Sequence, residues 1–193
     1  MSPPEQPASL TITLPDWIPE VVSWDRTYGT EEDRMDLAIA LSRENIDRNT
    51  GGPFGAGVFE IDSGRLVAVG VNSVERNRNC TLHAEIVALM MAQERVGAFT
   101  LGGDGMPAHE LVTSCDPCAM CFGAILWSGV RRVLCGASRE DAARLGFDEG
   151  PVFPESYRYL AERGVGFRRG VRREAAAAVL ARYGEGGGLI YNG

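Results

Sequence analysis

The stretch Glu110-Leu111-Val112-Thr113-Ser114-Cys115-Asp116-Pro117-Cys118-Ala119-Met120-Cys121 runs an extended segment into a helix within a few residues. Apolar and β-branched residues favour a short strand over Glu110 to Ser114, and the compact Cys115-Asp116-Pro117 ends it. Proline fits the start of a helix, where its missing N–H costs nothing, so a helix is predicted from Cys118. One turn of that helix presents the Cys118 and Cys121 sulfurs on one face, and the helix dipole favours their thiolates. Upstream, His83-Ala84-Glu85 opens a second predicted helix that ends at Val96. One imidazole and two thiolates are a donor set for tetrahedral zinc, with the fourth position left to a water whose pKa falls toward neutrality. Glu85, two positions from His83, stands beside that water as a base.

Each piece has an ordinary reading by itself. A lone Cys-x-x-Cys in a reducing compartment is a redox or structural pair, and a lone histidine is a satisfied side chain. Cys115, Cys118 and Cys121 also form two overlapping Cys-x-x-Cys pairs. The second pair fits the metal better, because Cys115 falls at the strand end. A four-coordinate structural site that includes Cys115 is the alternative, and it leaves no place for water. Cys80 and Cys135 read as core thiols.

Working outward, Thr30 and Asp33 mark a helix N-cap with an acidic first turn, and Leu37, Ile39, Ala40 and Leu41 give an apolar face running to Asn49. Gly51-Gly52-Pro53 breaks it. Phe54 to Glu60 and Leu66 to Asn72 read as strands joined by Asp62-Ser63-Gly64, which makes a hairpin. Beyond the cysteines, Val130 to Cys135 is strand-like, Arg139 to Leu145 helical, Gly164 to Val171 a last strand and Arg172 to Tyr183 an Ala-rich helix. Helices between the later strands favour parallel connections. The expected architecture is therefore three-layer α/β/α, with a central five-stranded mixed sheet that begins with an antiparallel hairpin. Residues 1–29 read as a proline-rich arm without regular structure, anchored by Trp17 and Trp24, and residues 30–183 as the domain. Residues 184–193 read as a Gly-rich tether and tail.

The bulk properties narrow the function. The chain has 193 residues, is 45% apolar and carries a formal charge of -7, which suits one soluble domain and repels phosphate backbones. No nucleic-acid partner is expected. The apolar runs are too short for a membrane span, and Met1 to Ala8 has no secretion-signal pattern, so a cytoplasmic location and free thiols are expected.

His83-Ala84-Glu85 with Pro117-Cys118-x-x-Cys121 resembles the H-x-E and P-C-x-x-C signature of the zinc nucleobase deaminases, the cytidine deaminase-like superfamily. Within it the chain is similar to the guanine deaminase branch: Gly52-Pro53-Phe54-Gly55-Ala56, Asn72, Gly123-Ala124-Ile125, Trp127 and Gly146-Phe147-Asp148-Glu149 follow that branch in order. The resemblance covers residues 30–193. It departs at Asp116, where the family has Glu, and at the extra thiol of Cys115.

The resemblance implies that His83, Cys118 and Cys121 hold one zinc, and that Glu85 moves a proton from the bound water to a ring nitrogen while hydroxide attacks the amino-bearing carbon. It implies that Asn72 hydrogen-bonds the base edge, that Phe54 and Trp127 pack against the base, and that Ala84 and Tyr191 contact it. Glu149 would carry a proton to departing ammonia. The tail Leu189 to Gly193 would cross to the neighbouring subunit of a homodimer and cover its pocket. The expected reaction is guanine to xanthine and ammonia, with the triazine ammeline as a second substrate. The alternatives are another small amino-heterocycle or nucleoside, adenosine in transfer RNA, or a zinc protein without turnover. The last has no use for Glu85.

Overall fold

The computed structural model describes residues 6–192; Pro3 and Pro4 of the arm and Gly193 of the tail lie outside the described residues. The arm contains one unforeseen element, helix α1 (Ile18–Val21), with Pro19 in its first turn, where helices tolerate it. Trp17 does anchor the arm: it is buried and its indole N–H donates to Thr50 Oγ1 at 3.0 Å. Trp24 is instead exposed, beneath the Arg95 guanidinium.

Helix α2 (Glu31–Asp47) starts on the expected cap. The Thr30 hydroxyl accepts from the Asp33 N–H at 3.0 Å, and the Asp33 carboxylate accepts from the Thr30 N–H at 3.4 Å. Strands β1 (Gly55–Glu60) and β2 (Leu66–Val71) form the hairpin. Gly64 in its turn has φ +67°, and a Cβ there would lie 2.4 Å from the Tyr28 carbonyl oxygen, so both conformation and space require glycine. Strands β3 (His109–Cys115), β4 (Arg132–Ala137) and β5 (Gly166–Arg168) complete a five-stranded sheet in the order β2-β1-β3-β4-β5. It is antiparallel from β2 to β3 and parallel from β3 to β5.

The remaining helices are α3 (Val74–Asn77), α4 (Ala84–Val96), α5 (Ala119–Ser128), α6 (Arg139–Ala143), α7 (Pro154–Ala161) and α8 (Arg173–Glu185). The short α3 and the polar α7 have no counterpart in the sequence reading. Helix α8 also takes in Gly184 and Glu185, so the tether begins later than expected. Two buried clusters lie on opposite faces of the sheet, one shared with α2 and α8, the other with α4, α5 and α7. Every residue of β1, β2 and β3 is buried, as two covered faces require. A Cβ on Gly70 of β2 would lie 2.3 Å from the Ala84 carbonyl oxygen, so this glycine lets the start of α4 rest directly on the sheet.

At the start of β3 the buried Glu110 carboxylate accepts from Arg34 and, at 2.6 Å, from Arg132 Nε. Arg132 also pairs with Glu31 at 3.0 Å, and Arg168 joins Glu31 at 2.5 Å. No helix of the described residues is long and apolar enough to cross a membrane.

Candidate active site

Two helix starts converge beyond the other end of β3. His83 is the N-cap residue of α4 and Cys118 that of α5, both with extended backbone, and Cys121 sits in the first turn of α5. His83 Nδ1 lies 3.4 Å from Cys118 Sγ and 3.8 Å from Cys121 Sγ, and the three donor atoms lie within 4.8 Å of one another. A tetrahedron with zinc–ligand bonds of about 2.0–2.3 Å has edges of about 3.6 Å, so donor chemistry and spacing both fit zinc. Cys115 is not in this group. Its buried thiol donates to the Ser138 carbonyl at 3.6 Å, which places the metal on the second Cys-x-x-Cys pair. Cys135 is a core thiol as expected, whereas Cys80 is exposed, because it falls in the turn between α3 and α4.

The hydrogen bond from Cys121 holds the Cys118 thiol down at about 4, against burial and with help from His83. Hydrogen bonding to Cys118 and burial push the Cys121 thiol up. Burial opposes charge on His83, but the Cys118 sulfur and the carboxylates of Glu85 and Glu149 raise its pKa. Glu85, in the first turn of α4, is pushed up to about 7 by burial and then by the Cys118 charge. Glu149 is pushed up to about 8, again by burial first and then by Cys118 and Glu85. Both carboxyls are thus poised to take up or release protons near neutral pH.

His83, Glu85 and Glu149 line one small cavity together with Phe54, Asn72, Asp116, Tyr191 and Asn192. Its volume is about 10 Å³, room for about one water. Asn72 is fully buried at the end of β2. Its side-chain oxygen accepts from the Gly52 and Val74 N–H groups, each at 3.4 Å, and its amide nitrogen donates to the Tyr191 hydroxyl at 2.7 Å. This orientation aims an N–H donor into the cavity. Phe54 meets Phe147 edge-on at 5.1 Å, and Phe147 meets Tyr191 at 5.2 Å. A larger groove of about 720 Å³ runs beside the tail and α2 but holds none of the metal donors.

Two expected base contacts do not line the cavity of this chain. Trp127 is 75% exposed and lines no part of the cavity, because Cys121, Phe122, Ile125 and Ser128 take the buried face of α5 and turn Trp127 outward. Ala84 is fully buried in the core between α4 and the sheet, since one step along a helix rotates it away from the face that carries Glu85. The tail does cover a pocket, but in this chain it covers its own. Asn192 and Asp148 exchange hydrogen bonds of 2.9 and 3.1 Å beside Tyr191.

Sequence reasoning named Asp116 only as a departure and gave Phe147 and Arg169 no role. Asp116 is buried and accepts from both Arg169 Nε, at 2.9 Å, and Arg169 Nη2, which neutralises it beneath the cavity. The Gly-Phe-Asp-Glu context could have pointed to Phe147; nothing local marks Arg169 among 19 basic residues.

Residues 29–137 match the family model described as the cytidine and deoxycytidylate deaminase zinc-binding region. The chain belongs to this family of zinc deaminases. Guanine deaminase of Bacillus subtilis is 37% identical over 130 residues, covering 67% of this chain and 79% of that one. A solved guanine deaminase from Nitrosomonas europaea superposes with a TM-score of 0.88 at 42% identity, covering 94% of this chain and 100% of that chain. A substituted form of NE0047, solved with 8-azaguanine, superposes with a TM-score of 0.89 at 42% identity over 94% of this chain and 99% of that one. These likenesses place the deaminase in the guanine deaminase branch and make it a hydrolytic enzyme acting on amino-heterocycles.

Proposed function

We propose that this deaminase hydrolyses guanine to xanthine and ammonia. The observation that carries the reading is the pairing of two carboxyls, Glu85 and Glu149, in one cavity beside the metal donors and opposite the Asn72 amide. Similarity to guanine deaminases and to a structure holding 8-azaguanine supports the choice of base.

His83, Cys118 and Cys121 would hold zinc, which would supply a water of lowered pKa for attack on an amino-bearing carbon. Glu85, in the first turn of α4, would take a proton from the attacking water and deliver it to the adjacent ring nitrogen. Glu149 gives its proton to the departing amine and recovers one from the new hydroxyl as that becomes the carbonyl. The Asn72 amide donates to an acceptor on the base edge, and Phe54, which lines the cavity, packs against the ring. In the described arrangement the Tyr191 hydroxyl occupies that Asn72 donor, so Tyr191 must withdraw before a purine enters and can close over it afterwards. Ammeline offers a similar donor and acceptor edge and is the second substrate.

Residues 30–183 form the catalytic unit in this reading, residues 1–29 an arm and residues 184–193 the closing tail. The enzyme works in the cytoplasm as a homodimer. Trp127 and Met90, exposed on the packed helices α5 and α4, give a second copy an apolar surface to cover. The tail closes the pocket of its own chain here, and exchange with the partner would keep the same Tyr191–Asn72 contact.

The test is ammonia release by the zinc-loaded protein on guanine, guanosine, ammeline, cytosine, cytidine and adenine. Turnover is expected on guanine and, more weakly, on ammeline. Silence on guanine with turnover on another base would keep the zinc chemistry and overturn the substrate.

A further inference from the structure

Glu149 sits in a loop without regular structure between α6 and α7, and a proton donor needs a fixed place. Most hydrogen bonds of residues 147–152 stay inside the loop or run to the tail, as those of Asp148 to Gly150 and Asn192 do. Two others reach the loop that carries the metal donors. The Ala119 N–H, at the start of α5, donates to the Glu149 carbonyl at 2.9 Å. The second is made by Arg139, the first residue of α6.

The Arg139 guanidinium spans both loops. Its Nη2 donates to the Pro117 carbonyl at 2.9 Å, one residue before Cys118, and its Nη1 donates to the Val152 carbonyl at 3.3 Å, three residues after Glu149. Its backbone N–H donates to Asp116 Oδ2 at 3.3 Å, and Arg169 pins the same carboxylate from the other side. The guanidinium thus ties the proton-donor loop to the donor loop, and its own backbone N–H is anchored on Asp116. A lysine ammonium carries its three N–H donors on one nitrogen and lacks the planar fork that places separate nitrogens at the two carbonyls.

We propose that Arg139 is a positioning residue for the deamination, fastening the Glu149 loop to the Cys118 loop so that Glu149 stands where the leaving amine departs. The proposal rests on the reading of Glu149 as the proton donor in guanine hydrolysis. It assigns Arg139 no contact with substrate or metal.

The experiment compares the zinc-loaded full chain with Arg139→Gln, Arg139→Lys, Glu149→Gln and the Arg139→Gln/Glu149→Gln double variant. Zinc content, thermal midpoint, guanine kcat and KM, and amide hydrogen exchange of residues 148–152 are measured. Arg139→Gln should keep its zinc and lower kcat by roughly 10², with KM changed less than kcat, and Arg139→Lys should recover only part of the loss. The double variant should be no slower than Glu149→Gln, because nothing is left to position. Exchange in residues 148–152 should quicken in Arg139→Gln while that of α5 does not. Unchanged kcat, losses that multiply in the double variant, or loss of zinc from Arg139→Gln would each overturn the positioning role. A wild-type chain silent on guanine overturns the substrate reading alone. Hydrogen exchange then decides for Arg139, and unchanged protection of residues 148–152 would sink it.

Discussion

The two ends of β3 bury polar side chains for opposite purposes. At its start, Glu110 is fully buried and answered by two guanidinium groups, and the chain of pairs continues through Glu31 to Arg168. Beyond its end, Glu85 and Glu149 are buried almost as deeply, yet neither forms an ion pair among the described residues. Burial, and after it the Cys118 charge, pushes both up to the neutral range. A buried charge that only holds structure is paired, because an unpaired one costs several kcal/mol. A buried carboxyl that must exchange protons is left without an ion-pair partner, and the fold bears that cost at the site.

Three changes would break or sharpen this contrast. The largest effect is expected from Glu85→Gln, which keeps the shape of the side chain and removes its proton chemistry. Guanine turnover should fall by roughly 10²–10⁴ while metal analysis still finds one zinc per chain. Zinc lost together with activity would make Glu85 a structural residue, like Glu110. Next, Glu110→Ala should leave Arg34 buried without its partner and cost about 3–5 kcal/mol in urea denaturation of the zinc-loaded protein, with KM for guanine unaltered. A cost below about 1 kcal/mol, the scale of an exposed pair, would mean that the network is not structural. The smallest effect should follow deletion of Leu189 to Gly193, which removes the Tyr191 cover that closes over the bound base. The expectation is a fall of about tenfold in kcat/KM, the scale of one lost interaction, with the mass in solution by light scattering unchanged. A drop in that mass would show that the tail joins two subunits.

Much of the site was legible because its chemistry is local. His83 and Glu85 share one helix start, Cys118 and Cys121 another, and each pair is fixed by spacing along a single turn. The hairpin and the capped α2 were legible for the same reason. What escaped depends on partners distant in the chain. The exposure of Trp127 was not legible, because which face of α5 is buried depends on the sheet beneath it. Helix α7 contributes mainly Leu160 to the core and is otherwise too polar to announce itself. Arg139 and Arg169 act on loops reached only after folding, so neither carries a local signal.

By itself, then, the sequence determined the donor set, the base beside it, the α/β order and the family to which they belong. These follow from residue types at fixed short spacings, which any chain with this pattern must present. Only the tertiary structure decided that Cys115 stays out of the donor group, that Tyr191 sits on Asn72, and that Glu149 is raised to about 8. Those outcomes depend on burial and on distances between segments far apart in the chain. Burial and long-range distance are properties of packing, and no local pattern encodes them.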